Sequence, residues 1–129
     1  MKSDWRKWLF YVAAIYDGLF GLVFFFFWPQ LYDHFQITPP NHDGYVRFPA
    51  MLLIIFGFMF LQIARDPDRN RDLIAYGIAL KVAYAGLVLW YQVTTPGIPA
   101  MWIPWAWCDA AFLVLFALAM RRRVTARTT

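Results

Sequence analysis

Three ionisable side chains stand inside long apolar runs: Asp17, Lys81 and Asp109. A carboxylate can accept or release a proton, and an ammonium can pair with carboxylates or hold an anionic group, so a lysine between two aspartates suits ion pairing, proton exchange or ligand anchoring. Which of these applies depends on whether the three residues meet.

Their depths agree. Asp17 is nine residues from Trp8, Lys81 nine from Asp72, and Asp109 eleven from Met120, each reference residue marking the same end of its run. At about 1.5 Å per residue the three lie within ~3 Å of a common level. A charge in mid-membrane costs ~2.5 to 3.5 kcal/mol, against ~0.3 to 0.6 returned by each Leu, Ile, Phe or Val. The first run has twelve such residues and carries Asp17 unaided, whereas the third has eight around Lys81 and the fourth seven around Asp109, close to break-even. Lys81 and Asp109 are therefore expected to insert as a pair. With both acids ionised the trio sums to minus one, so one carboxylate, with Asp17 the choice, is expected to hold an exchangeable proton unless water or a cationic group reaches it.

The elements that position these residues are four apolar stretches, residues 8–28, 46–64, 73–91 and 101–120. Each is near the ~20 residues a helix needs to cross a bilayer core, and lipid leaves no partner for unpaired backbone groups, so the fold class is an all-α, four-helix transmembrane bundle. Nothing in the pattern alternates as a lipid-facing barrel strand would. The 129 residues form a single integral membrane domain with little chain left over, and the 16% charged fraction is well below the roughly 25% of soluble domains. The net charge of +4 sits in clusters beside the apolar runs, which argues against a nucleic-acid partner. Lys2, Arg6, Lys7, Arg65, Arg69, Arg71, Arg121, Arg122, Arg123 and Arg127 fall on one side and only Arg47 on the other, placing both termini in the cytoplasm. Trp5 and Trp8 mark the inner surface, and Trp28, Tyr32, Trp90, Tyr91, Trp102 and Trp105 the outer one, while Trp107 is deeper and expected to face the bundle.

Pro49 and Pro104 fall in first turns, and Pro29, Pro96 and Pro99 in connections. Leu31, Tyr32 and Phe35 suit a short amphipathic turn on the outer surface that caps the bundle. Phe24 to Phe27 read as lipid-facing bulk, Arg65 to Asp72 as a solvated turn, and Gln62 as interfacial. Around the charged trio, Asp17 shares a face with Ala13, Ala14, Phe20, Gly21 and Phe24; Lys81 stacks with Gly77, Tyr84 and Ala85; and Asp109 lies among Trp102, Trp105, Phe112, Leu113 and Phe116. Gly18, Gly21 and Gly77 are candidates for close helix contact. Asp17, Lys81, Asp109, Tyr84 and Trp105 make up the candidate ligand or proton site, its aromatic lining suiting a planar apolar ligand.

One cysteine, Cys108, excludes disulfide frameworks and thiolate cages. His34 and His42, with Asp33 and Asp43, match no metal-ligand spacing, and no metal is expected. Arg47 can snorkel to headgroups or clamp an anionic group. Phosphate loops, nucleophile elbows and HExxH patterns are absent from the sequence, so no catalytic residue is assigned.

The run Tyr16, Asp17, Gly18 with Gly21, the segment from Pro29 to Phe35, the Arg-rich turn before Lys81, and Asp109 in the last span resemble the DoxX-like four-helix membrane proteins. The resemblance covers most of the chain. It implies a compact bundle in the bacterial inner membrane, associated in some relatives with quinone-linked redox systems and related more distantly in fold to sterol isomerase-like and cargo-receptor proteins. The second span holds no acidic residue where isomerase-like relatives place an acid pair. The expected function is non-enzymatic: binding of a small hydrophobic ligand, with a quinone as possible cofactor or a lipid, or service as accessory subunit of a membrane redox complex. Expected partners are the lipid bilayer and a larger membrane complex or a homo-oligomer. A small proton-coupled carrier, with Asp17 and Asp109 exchanging protons and Lys81 holding an anionic substrate, is the alternative. An enzyme acting on lipid ranks third.

Overall fold

A computed structural model describes residues 4–121. Lys2, Arg122, Arg123 and Arg127 of the topology argument lie outside these described residues. Four helices follow in order: α1 (Trp5–His34), α2 (Gly44–Arg65), α3 (Arg71–Thr94) and α4 (Trp102–Arg121). All four are long and apolar enough to cross a membrane, the character of an integral membrane protein. Large apolar side chains such as Val12, Ile15, Leu19, Phe58 and Leu87 point outward over the bundle surface, as a lipid-solvated protein requires.

Arg6, near the start of α1, donates to Asp68 in the α2–α3 turn at 2.9 Å, and Arg71, at the start of α3, donates from Nε to the carbonyl of Met120 near the end of α4 at 2.8 Å. These contacts bring the α2–α3 turn to the same end of the bundle as the start of α1 and the end of α4. At that end the packing is dense. Phe10, Phe60 and Phe116 form a three-ring core, with Phe10 and Phe116 stacked at 4.7 Å and Phe60 tilted against Phe116 at 5.2 Å. Ala13, Ile63, Ala64, Ile74 and Ala119 complete the cluster.

The helices form two unequal associations. α1 packs extensively along α2, and α3 along α4, whereas the two pairs meet each other over a much smaller contact. Glycine explains the first seam. A Cβ on Gly21 would stand 2.5 Å from the carbonyl oxygen of Ala50, and one on Gly57 would stand 3.2 Å from the Cα of Gly18, so the two backbones approach to a distance only glycine permits. A Cβ on Gly77 would meet the Phe60 ring at 2.7 Å, one of the places where α3 settles against α2.

Several sequence expectations change. Pro29 is not in a connection: α1 continues through it to His34, with non-helical torsions at Phe27 marking a kink. That break fits a proline in the helix, whose ring cannot donate to the ladder and crowds the preceding turn. Pro49 lies beyond the first turn of α2, which begins earlier than expected, at Gly44. Trp107 faces outward, 60% exposed, because Asp109 two residues on takes the inward direction. Within the phenylalanine run Phe26 and Phe27 face outward, but Phe24 turns inward to line a cavity. Arg6, counted from sequence only as a topology signal, is 1% exposed and is held by Asp4 at 2.7 Å and Asp68 at 2.9 Å. The Arg65 to Asp72 segment is accordingly more than a solvated turn. Asn70 closes it further by donating to the carbonyls of Gln62 and Asp66, while Gln62 Nε2 donates back to Asn70 Oδ1.

Candidate functional site

The chemistry of the site begins with one ammonium. Lys81 Nζ donates to Asp17 Oδ1 at 2.9 Å and to Asp109 Oδ1 at 3.1 Å. Asp17 belongs to the α1–α2 pair, and Lys81 and Asp109 belong to the α3–α4 pair, so the lysine ties the two halves together. All three side chains are withdrawn from the surface: Asp17 and Lys81 are 1% exposed and Asp109 6%. Each rides a buried stripe at helical spacing: Phe10, Ala13, Asp17 and Gly21 on α1, Ile74, Gly77, Lys81, Ala85 and Val88 on α3, and Ala106, Asp109, Phe116 and Ala119 on α4.

Aromatic rings surround the ammonium. Lys81 Nζ lies 5.2 Å from the ring centre of Tyr16, 5.1 Å from that of Phe112 and 5.6 Å from that of Phe60. Ring faces carry partial negative charge, so they stabilise the cation where water does not reach. One acceptor is left over: Asp17 Oδ2 is buried and has no hydrogen-bond partner. A buried carboxylate oxygen without a donor is costly, and its presence needs a reason.

Beside the trio lies a cavity of about 420 Å³. Its walls come from all four helices, with Phe20, Phe24 and Tyr32 from α1, Pro49, Leu53 and Phe56 from α2, Leu80 and Tyr84 from α3, and Trp102 and Trp105 from α4. Asp17, Lys81 and Asp109 line it too. Phe20, Phe24 and Tyr32 follow Asp17 in sequence, Tyr84 follows Lys81, and Trp102 and Trp105 precede Asp109. The cavity thus occupies the half of the bundle away from the Phe10, Phe60 and Phe116 core. The kinked end of α1 closes part of it, since Tyr32 lies on its wall.

The chain matches no family model, no curated protein and no solved structure. What the site can do is therefore argued from its own residues.

Of the five residues singled out from the sequence, all line the cavity, though in different ways. Tyr84 directs its hydroxyl to the carbonyl of Trp102 at 3.0 Å, joining α3 to the first turn of α4. Trp105 stands edge-on to Phe20 at 4.5 Å and to Tyr16 at 6.4 Å. The sequence reading passed over three other contributors. Phe60 sits under Lys81 and fills the space left by Gly77; Phe56 and Leu53 supply the α2 wall. Nothing distinguishes these from other apolar residues of the same span. Tyr16 was notable only as part of a motif, yet its ring lies under Lys81 and its buried hydroxyl has no hydrogen-bond partner. A tyrosine directly before a mid-span aspartate was the available signal. Two polar residues near the start of α2 serve locally instead. His42 Nδ1 accepts from the backbone N–H of Gly44 at 2.9 Å at the start of α2, and Arg47 reaches Asp43 at 3.5 Å with its guanidinium over Phe25.

Proposed function

We propose that this protein binds a small hydrophobic molecule, a quinone or a lipid, in the cavity between its two helix pairs, either by itself or as accessory subunit of a larger membrane redox assembly. The observation that carries the reading is an apolar, aromatic-walled space of about 420 Å³ bordered by a polar cluster. This volume falls in the ~300 to 1,000 Å³ range of small-molecule sites, which combine mostly apolar walls with a few convergent polar groups. Flat rings such as Trp105, Phe20 and Tyr16 offer stacking surfaces for a planar head, and the charged trio gives a head one polar direction in which to orient. The DoxX-like resemblance adds quinone-linked systems as the chemical context.

The test is binding by the purified protein in nanodiscs. A short-chain quinone is expected to quench the fluorescence of the cavity tryptophans saturably, and Leu53→Trp, which fills the cavity, is expected to weaken that binding by about tenfold or more, roughly 1.4 kcal/mol. Quenching that rises linearly with quinone concentration, identical in both proteins, reports partitioning into lipid and rejects the site.

A further inference from the structure

The charges around the cavity do not balance, and the imbalance defines the head group it would receive. Two carboxylates and one ammonium border it, no other charged residue does among the described residues, and the formal sum is minus one. The excess is localised. Lys81 already spends hydrogen bonds on Asp17 Oδ1 and Asp109 Oδ1, while Asp17 Oδ2, buried and acceptor-only as an ionised carboxylate, has no donor. A neutral carbonyl head such as that of a quinone brings no donor to this oxygen. A carboxylate or phosphate head adds to the negative charge. A protonated amine supplies a donor and the missing positive charge, and the aromatic rings of Tyr16, Phe20 and Trp105 line the same cavity.

A second space shows where an apolar chain would go. It measures about 320 Å³ and shares Phe20, Phe24, Met101 and Trp105 with the first cavity, so the two adjoin. Leu19 and Val23 of α1 continue it along the seam with α4, where the two backbones stand apart and rings such as Phe20 and Trp105 bridge between them. Its walls carry no charged residue. We infer that the site selects a single-chain aliphatic amine, with the ammonium seated against the Asp17–Lys81–Asp109 cluster and the chain running past Trp105 into the α1–α4 seam. The inference rests on the proposal that the cavity takes a ligand and adds the chemistry of its head.

The experiment compares octylammonium, octanol and octanoate, which share a chain and differ in head charge, by tryptophan fluorescence of the protein in nanodiscs of neutral lipid. Octylammonium is expected to bind at least about tenfold more tightly than octanol, with octanoate weakest. Asp17→Asn is expected to remove the amine's advantage over octanol. Asp109→Asn, which removes the same unit of charge but keeps the Lys81–Asp17 bond, stands in where Asp17→Asn does not fold, and it too is expected to lower the amine's preference. Octanol or octanoate binding as tightly as the amine overturns the inference and leaves the cavity as a neutral-ligand site. Failure of all three ligands and of the short-chain quinone to bind saturably overturns the ligand reading itself.

Discussion

Lys81 donates to one oxygen from each of two carboxylates, and its removal has a consequence quite different from removal of either acid. Lys81→Leu leaves Asp17 and Asp109 buried in apolar surroundings with no cation between them. Breaking a buried pair by deleting one partner typically costs about 3 to 5 kcal/mol, because the charge left behind is uncompensated. Lys81→Leu is therefore expected to lower stability by that order, read as a fall in thermal midpoint in detergent, whereas Asp109→Asn keeps the Lys81–Asp17 pair at formal neutrality and is expected to cost less. A Lys81→Leu protein that unfolds at the wild-type temperature would mean that the ammonium is solvated and the pairing idle. This cluster was legible in the sequence for a physical reason: hydrocarbon penalises each isolated charge, and residue counts from the span ends place all three at one depth. Spacing placed Phe112 on the face of Asp109, but that its ring and that of Phe60 lie under Lys81 was not legible. Phe60 and Phe112 are two phenylalanines among many in a sequence where aromatics make up 21% of residues, and only coordinates distinguish a ring under a cation from a ring against lipid.

Among the elements, the α1–α2 seam depends on backbone approach. In the absence of a hydrophobic driving force between helices in lipid, close packing at small residues carries the association. Gly21 is the most demanding position, because the atom its Cβ would meet at 2.5 Å is a backbone oxygen, which cannot move aside as a side chain can. Gly21→Ala is expected to cost about 1 to 3 kcal/mol through overpacking. Gly86, on α3, has nothing within 4 Å of a Cβ, and Gly86→Ala is expected to be neutral or to stabilise by up to about 1 kcal/mol through helix propensity. Equal thermal midpoints for the two variants would contradict the seam as described. Gly18, Gly21 and Gly77 were named from sequence as contact residues, while Gly57, which meets Gly18 across the seam, was not, since small residues on a second span gain meaning only once its partner is known. Helix ends were read less well than helix existence. Pro29 was placed in a connection, but one kink at Phe27 lets α1 run on and bring Leu31, Tyr32 and Phe35 over the cavities.

At the scale of the whole molecule, two tightly packed helix pairs meet closely at one end and part at the other. The dense end holds the three phenylalanine rings and the buried Arg6 with its two acids; the open end holds the cavity. Four apolar spans could be counted from composition and length, but which pairs would adhere and where a gap would remain depend on the shapes of many side chains together, and residue spacing does not encode them. Arg6 shows the same limit, since its position beside the first span reads only as a topology signal until Asp68, 62 residues away, is brought to it. A charge cluster joins the two halves at mid-bundle. A double-mutant cycle on Asp17 and Lys81 tests it most directly, with the stability of wild type, Asp17→Asn, Lys81→Leu and the double variant measured by thermal unfolding in one detergent. Direct contact gives a coupling energy of about 1 to 3 kcal/mol, the double variant losing less than the sum of the single losses. Losses that add to within about 0.5 kcal/mol would show that the two residues do not touch, contradicting the cluster and the site built on it.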